Sequence, residues 1–363
     1  YRLVFITTRE VGKVEQAMNK GISIIIGKVN VLLICGAVLA PSSALAQQFE
    51  PARDEFGHPD FQGIWNFSSN APLERPERFG NREFLSEEEV QQTLERRRVS
   101  QIRSAEREAD VSQRIINTSD ARSVGAVNNF WMERTELLPN QRTSLIIYPD
   151  NGRLPPMQEG LEIQRSDQSG IVEIPGTRPV RYTHGGIASN GPEDRGLSER
   201  CLVFNSGPPI QSGPYNNNMQ IIQNRDHVVL LLEMGFDARI IPLDKETHID
   251  SRITQWSGDS RGYFEGNSLI VETRNFTNKI ASLGLRDKAY GDAGERLLIE
   301  KFTKTGEQSL DYEYTIEDPA TFTDKIIVNL PMVSVDERLY EYACHAGNYA
   351  IGNILKGARH LEN

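Results

Sequence analysis

Apolar residues along this chain follow two different rhythms. From about residue 142 onward they recur at every second position or in short runs closed by turn residues, which is the signature of β-strands. The segments 143–148, 219–224, 227–234, 238–243, 268–274, 297–304, 310–317, 325–330 and 339–343 all read this way. In 310–317 one face is Leu310, Tyr312, Tyr314 and Ile316, and the other is Asp311, Glu313, Thr315 and Glu317. Short breaks at Arg225-Asp226, Gly235 and Thr305-Gly306-Glu307 join neighbouring segments. Strands joined by tight turns are antiparallel, so the pattern predicts a meander that curls.

The part before residue 140 is different. Phe61 to Phe67 alternates like a short strand, and Pro72 and Pro76 then break the chain. Ser86 with Glu89 three residues on forms a capping box, and Glu87 and Glu88 suit the positive end of a helix dipole, which predicts a helix over about 87–108. Only Val90, Leu94 and Ile102 share its narrow apolar face, so it belongs to an outer layer. The expected fold is mainly β, a curled antiparallel meander or lipocalin-like barrel with one peripheral N-terminal helix. A barrel of this size has room for one small ligand. The expected organisation is an upstream stretch and signal peptide over 1–46, an N-terminal arm over 47–140, and a β domain over 141–363.

Export is read from the first 46 residues. From Met18 run a basic region with Lys20 and Lys28, an apolar stretch from Val29 to Ala40, and a small-residue end closing on Ala44-Leu45-Ala46. That is a signal-peptidase pattern with Gln47 as the expected mature start. The apolar stretch falls short of the ~20 residues a spanning helix needs, so no membrane span is expected. A lipid on Cys35 is disfavoured by the bulky Ile34 before it. The removed stretch carries five Lys or Arg and two Asp or Glu, which takes the formal charge from −10 to −13 over the remaining 317 of 363 residues. An acidic surface of this size argues against nucleic-acid partners and favours small neutral or cationic ones. Cys201 and Cys344 then remain, and in an oxidising periplasm two such thiols pair or stay as buried free thiols.

No motif fixes a reaction. Gly258-Asp259-Ser260-Arg261-Gly262 matches the serine-hydrolase elbow, but the elbow needs a helix after the serine, and Tyr263 onward leads into a strand. A tight turn closed by Asp259 is the plainer reading. The six histidines show no metal-ligand spacing and no Cys-x-x-Cys occurs, so neither a metal nor a cofactor is expected. Charges set among apolar strand residues are the stronger signal: Asp237 and Arg239, Asp259 and Arg261, and Glu341, His345 and Asn348 around Cys344. If they converge, Arg239 and Arg261 hold a ligand while Asp237, Asp259 and His345 move a proton. Otherwise they are salt bridges tying a barrel mouth. Tyr215, with Asn216, Asn217 and Asn218, suits sugar hydroxyls or polar aromatics, and suits equally the backbone angles of a loop entering a strand.

Many polar segments carry a resemblance as well. They include Gln62-Gly63-Ile64-Trp65-Asn66-Phe67, Pro72-Leu73-Glu74-Arg75-Pro76, Gly191-Pro192-Glu193-Asp194-Arg195, Tyr215-Asn216-Asn217-Asn218, Gln255-Trp256-Ser257-Gly258-Asp259-Ser260-Arg261-Gly262 and Tyr340-Glu341-Tyr342-Ala343-Cys344-His345. Through them the chain from residue 47 on resembles a large, functionally uncharacterised family of exported bacterial proteins. The resemblance implies export and brings no reaction with it. Two positions depart from the family pattern. Phe236 stands before Asp237-Ala238-Arg239 where the family has His, and Ala346 follows Cys344-His345 where the family has Glu. Both departures remove a titratable group. The expected function is therefore an exported envelope protein that is either a hydrolase or lyase on a small hydroxylated or aromatic compound, or a non-catalytic small-ligand-binding or structural periplasmic protein.

Overall fold

The computed structural model describes residues 49–117, 141–165, 191–205, 207–243, 247–285 and 288–362; the expected signal over 1–46 lies outside the described residues. The chain divides into Tyr1–Gln47 and Gln48–Asn363, and the second unit carries everything below. Its strands are β1 Gly63–Asn66, β2 Ile146–Tyr148, β3 Gln164–Arg165, β4 Asn218–Gln223, β5 His227–Leu232, β6 Asp237–Pro242, β7 Asp259–Glu265, β8 Ser268–Arg274, β9 Leu283–Gly284, β10 Lys288–Tyr290, β11 Leu297–Lys304, β12 Ser309–Glu317 and β13 Ile326–Val335; the helices are α1 Glu87–Asn117 and α2 Ala350–Leu361.

The main sheet runs β6-β5-β4-β1-β13-β12-β11-β8-β7, with β2 also on β13, and β3-β10-β9 form a small second sheet. Every pairing in it is antiparallel. The expected mainly β, barrel-like fold is what the structure has. Most joins follow the chain as a meander. The exceptions are β8 beside β11 and β1, which inserts between β4 and β13 with Trp65 opposite both Met219 and Ser334.

The nine strands of this path alternate in direction, so its first and last members, β6 and β7, run the same way. They approach without a hydrogen-bonded ladder: a Cβ placed on Gly262 of β7 would lie 2.8 Å from Ile241 Cγ2 of β6. The barrel is thus nearly closed, with one seam held by side chains. Both edge strands begin at the same rim, with Asp237 and Asp259 as their first residues.

The interior is filled, chiefly by Trp65, Phe302, Tyr312, Tyr314, Met219 and Leu230, all essentially inaccessible to solvent. The alternation in β12 decides this locally, since Leu310, Tyr312, Tyr314 and Ile316 are the buried set. The room expected for a ligand is therefore at the seam and not along the barrel axis.

Helix α1 starts as the capping box predicts. Ser86 N donates to Glu89 Oε2 at 2.8 Å and Glu89 N donates to Ser86 Oγ at 3.3 Å. It runs on to Asn117, beyond the expected 108, with Val90 buried and Leu94 and Ile102 exposed. Three local expectations are corrected. Residues 339–343 are not a strand, because no neighbouring edge pairs with them. Residues 259–265 are a strand and not a tight turn, because Asp259 to Glu265 pair in register with Ser268 to Arg274. Ala350–Leu361 is a helix, although the sequence reading assigns none there. The Sγ atoms of Cys201 and Cys344 stand 2.01 Å apart, a disulfide that fastens the segment after β13 to the loop before β4.

Candidate functional site

A cavity of about 810 Å³ opens where the seam meets the barrel rim. Asp237 and Arg239 reach it from β6, Asp259 from β7, Trp256 and Ser257 from the preceding loop, and His345 from the disulfide-fastened C-terminal segment. The parallel run of the two edge strands brings the aspartates to one place. Gly258 makes the entry to β7 possible: its φ is +68°, and an added Cβ would lie 2.6 Å from Arg274 O and 2.9 Å from Phe276 Cε1. That requirement accounts for the first glycine of the elbow-like motif. Ser260 itself is buried, shares a 2.9 Å hydrogen bond with Thr273 Oγ1, and continues a strand, so it has neither the exposure nor the following helix of a nucleophile elbow.

Beneath the cavity floor is a buried ionic cluster. Arg239 Nη2 donates to Glu300 Oε2 at 2.7 Å, and the Glu300 side chain is completely shielded from solvent. Tyr312 Oη donates to Glu300 Oε1 at 2.7 Å and accepts from Ile210 N at 3.0 Å. Arg239 Nε is buried with no hydrogen-bond partner among the described residues. Burial, then the Glu300 charge, hold the Tyr312 hydroxyl well above the ordinary tyrosine range, with Arg239 opposing. Burial likewise raises Tyr314. Arg296 lies over the Phe276 ring at 3.9 Å and donates to Ser282 O at 2.7 Å. Its burial brings it down to about 10, against the charges of Asp318 and Glu300.

Asp259 is a junction. His248 Nδ1 stands 2.8 Å from its Oδ2, Ile249 N donates to the same oxygen at 3.2 Å, and Arg261 Nη2 reaches Oδ1 at 3.4 Å. His248 Nε2 stands 3.4 Å from Glu272, which also accepts from Arg274 Nε at 2.6 Å. Burial of Glu272 works against its charge, but Arg274 and His248 hold its carboxyl below the usual range. His248 thus clamps the loop carrying Trp256 onto the β7–β8 hairpin. Arg261 supports Asp259 from behind and does not line the cavity.

The other expected site residues are placed elsewhere. Tyr215 borders a neighbouring cavity of about 450 Å³ with Phe204, Tyr342 and Leu285. Asn217 is fully buried and closes its own loop, accepting from Gly213 N at 2.6 Å and donating to Gly213 O at 3.0 Å. Asn348 Nδ2 donates to Glu199 O at 3.0 Å and lies 3.5 Å from Cys201 Sγ, so it secures the C-terminal segment. Glu341 is exposed and borders neither cavity. Among the described residues, no group of three or more His, Cys, Asp or Glu could hold a metal ion.

Glu300, Tyr312 and His248 are the residues that sequence reasoning overlooks. Glu300 had a signal, since it is in phase with the inward-facing Leu298 and Phe302. Arg239 likewise shares a face with Ile241, whereas Ile240 points outward and is 61% exposed. His248 had none, because its partners are set by the β7–β8 register. Comparison with the models of known protein families, with curated proteins and with solved structures gives no match to this chain.

Proposed function

We propose that this chain is an exported small-ligand-binding protein whose seam cavity takes a compact, neutral or cationic polar compound with one apolar face. The observation that carries the reading is the charge balance of the cavity. The guanidinium of Arg239 is held from below by the fully buried Glu300 at 2.7 Å, while Asp237 and Asp259 stand at the rim. Asp259 is itself matched by Arg261 at 3.4 Å, which leaves Asp237 as the acid on the wall with no ion-pair partner among the described residues. The wall is therefore acidic by that one charge, and it meets Trp256, Phe236 and Phe204, which offer ring faces to an apolar or cationic group. Phe236 sits where the resembled family has a titratable residue, which favours binding over turnover. Export is supported by the Ala44-Leu45-Ala46 pattern and by the disulfide.

A catalytic reading rests on His345, which borders the same cavity as Asp237 and Asp259 and would act there as acid or base. The two readings part in one experiment. The purified protein is titrated with aromatic amines, amino sugars, neutral sugars and their carboxylate analogues, and product formation is followed in parallel. Binding of a neutral or cationic member, weakened about tenfold or more by Asp237→Asn, supports the proposal. Preference for the carboxylates, or indifference to Asp237→Asn and Asp259→Asn, refutes it, and turnover lost in His345→Ala transfers the assignment to an enzyme. Fractionation of the producing bacterium with N-terminal sequencing tests export, with Gln47 expected at the start.

A further inference from the structure

A third cavity, of about 500 Å³, lies between helix α1, the loop that precedes it and residues Gln141 to Thr143. It shares no residue with the seam cavity, and its chemistry is the opposite. Arg78, Arg96 and Arg142 line it, in a chain whose formal charge is −10. Its floor includes Pro72, Phe79 and Leu85.

The one acidic side chain in that lining is already engaged. Glu89 accepts from both Arg82 Nη1 and Nη2 at 2.6 Å and from Ser86 N at 2.8 Å. Arg142 shares its charge with Glu83 at 3.2 Å. No carboxylate among the described residues pairs with the other two. Arg78 lies over the Phe79 ring at 4.5 Å, and Arg96 is bonded only within its own helix, to Gln92 O and Thr93 Oγ1. Like charges gathered around an apolar floor repel one another, and a bound anion relieves that repulsion through charge-assisted hydrogen bonds. We infer that this cavity is a binding site for a small amphiphilic anion, its carboxylate or phosphate held by Arg78 and Arg96 and its apolar body laid on Phe79 and Leu85.

The test uses the full chain and isothermal titration calorimetry with 4-phenylbutyrate, its uncharged amide, and inorganic phosphate. The carboxylate is expected to bind with one-to-one stoichiometry, at least tenfold more tightly than the amide, and to weaken as salt is raised. Arg78→Gln/Arg96→Gln is expected to weaken it at least tenfold. Both side chains are exposed, so the fold should be kept, as circular dichroism will show. Arg98→Gln/Arg252→Gln removes the same charge away from the cavity and is expected to leave binding unchanged. Equal affinity for carboxylate and amide overturns the inference. So does an equal loss in the control pair, or no binding of either anion up to millimolar concentration.

Discussion

Replacing Glu300 with leucine should be among the most damaging single changes in this protein, and replacing Arg239 as well should rescue it. Glu300 is fully shielded, the Arg239 side chain is only 8% exposed, and the two meet at 2.7 Å. Removing the acid leaves a guanidinium buried without its counter-charge, which costs about 3–5 kcal/mol. Tyr312 loses its acceptor at the same time, although it still accepts from Ile210 N, and this adds about 1 kcal/mol. The loss expected for Glu300→Leu is therefore roughly 4–6 kcal/mol. In Glu300→Leu/Arg239→Met no charge of the pair remains, and a buried pair replaced by apolar groups of similar size is close to neutral. Arg239→Met alone leaves the Glu300 carboxylate buried and unpaired, at about 3–5 kcal/mol. The double variant should stand within about 2 kcal/mol of the parent, which gives a coupling of at least about 5 kcal/mol. Urea unfolding followed by circular dichroism reads this directly, provided the denaturant slopes agree among the four proteins. A Glu300→Leu cost below about 1 kcal/mol, or a double variant no more stable than the worse single one, would refute the buried-pair argument. Glu300→Gln carries a second readout. It removes the charge that neutralises Arg239, so the seam cavity should turn from cationic and neutral ligands toward carboxylates.

Alkaline stability follows from the raised tyrosines. Tyr312 and Tyr314 stay protonated in the fold above pH 10, where the unfolded chain releases those protons, so stability falls as pH rises from about 10. Arg296, lowered to about 10 by burial, works the other way above that pH, because the unfolded chain keeps the proton that the folded one releases. Two groups outweigh one, and Tyr314→Phe should flatten the decline by up to about 1.4 kcal/mol per pH unit, read from urea midpoints between pH 9 and 11. Identical slopes would exclude the mechanism. Breaking Cys201–Cys344, which closes a separation of 143 residues, should lower stability by up to about 5 kcal/mol in chain-entropy terms. The same change should release His345 from the cavity wall; an unchanged thermal midpoint in Cys201→Ser/Cys344→Ser would contradict this. Gly258→Ala, forced to φ +68° against Arg274 O, should cost about 2 kcal/mol or more and weaken seam ligands as well. A variant as stable as the parent by calorimetry would show that the loop can shift.

Local pattern carried the strands, because each alternation is a contest between two faces that a single segment decides. Leu310 to Ile316 announces its buried face without any knowledge of its neighbours, and the Ser86–Glu89 box announces its helix in the same way. Glu300 was legible by the same rule and is passed over only because a carboxylate in an inward phase looks like an interruption. In fact it is the partner that Arg239, equally in phase, requires. The place of the site was not legible, because it depends on a number that no segment contains. Hairpins supply eight of the strands on the main path, as β4–β6, β7–β8 and β11–β13, and β1 from the N-terminal arm makes the ninth. Nothing within Gly63–Asn66 says that it inserts between β4 and β13, partners more than a hundred residues away. Yet that insertion settles the chemistry. In an antiparallel sheet an even count starts its two edge strands at opposite rims, and an odd count starts them at the same one. With nine strands, Asp237 and Asp259 open the same rim, and the seam between them becomes the cavity.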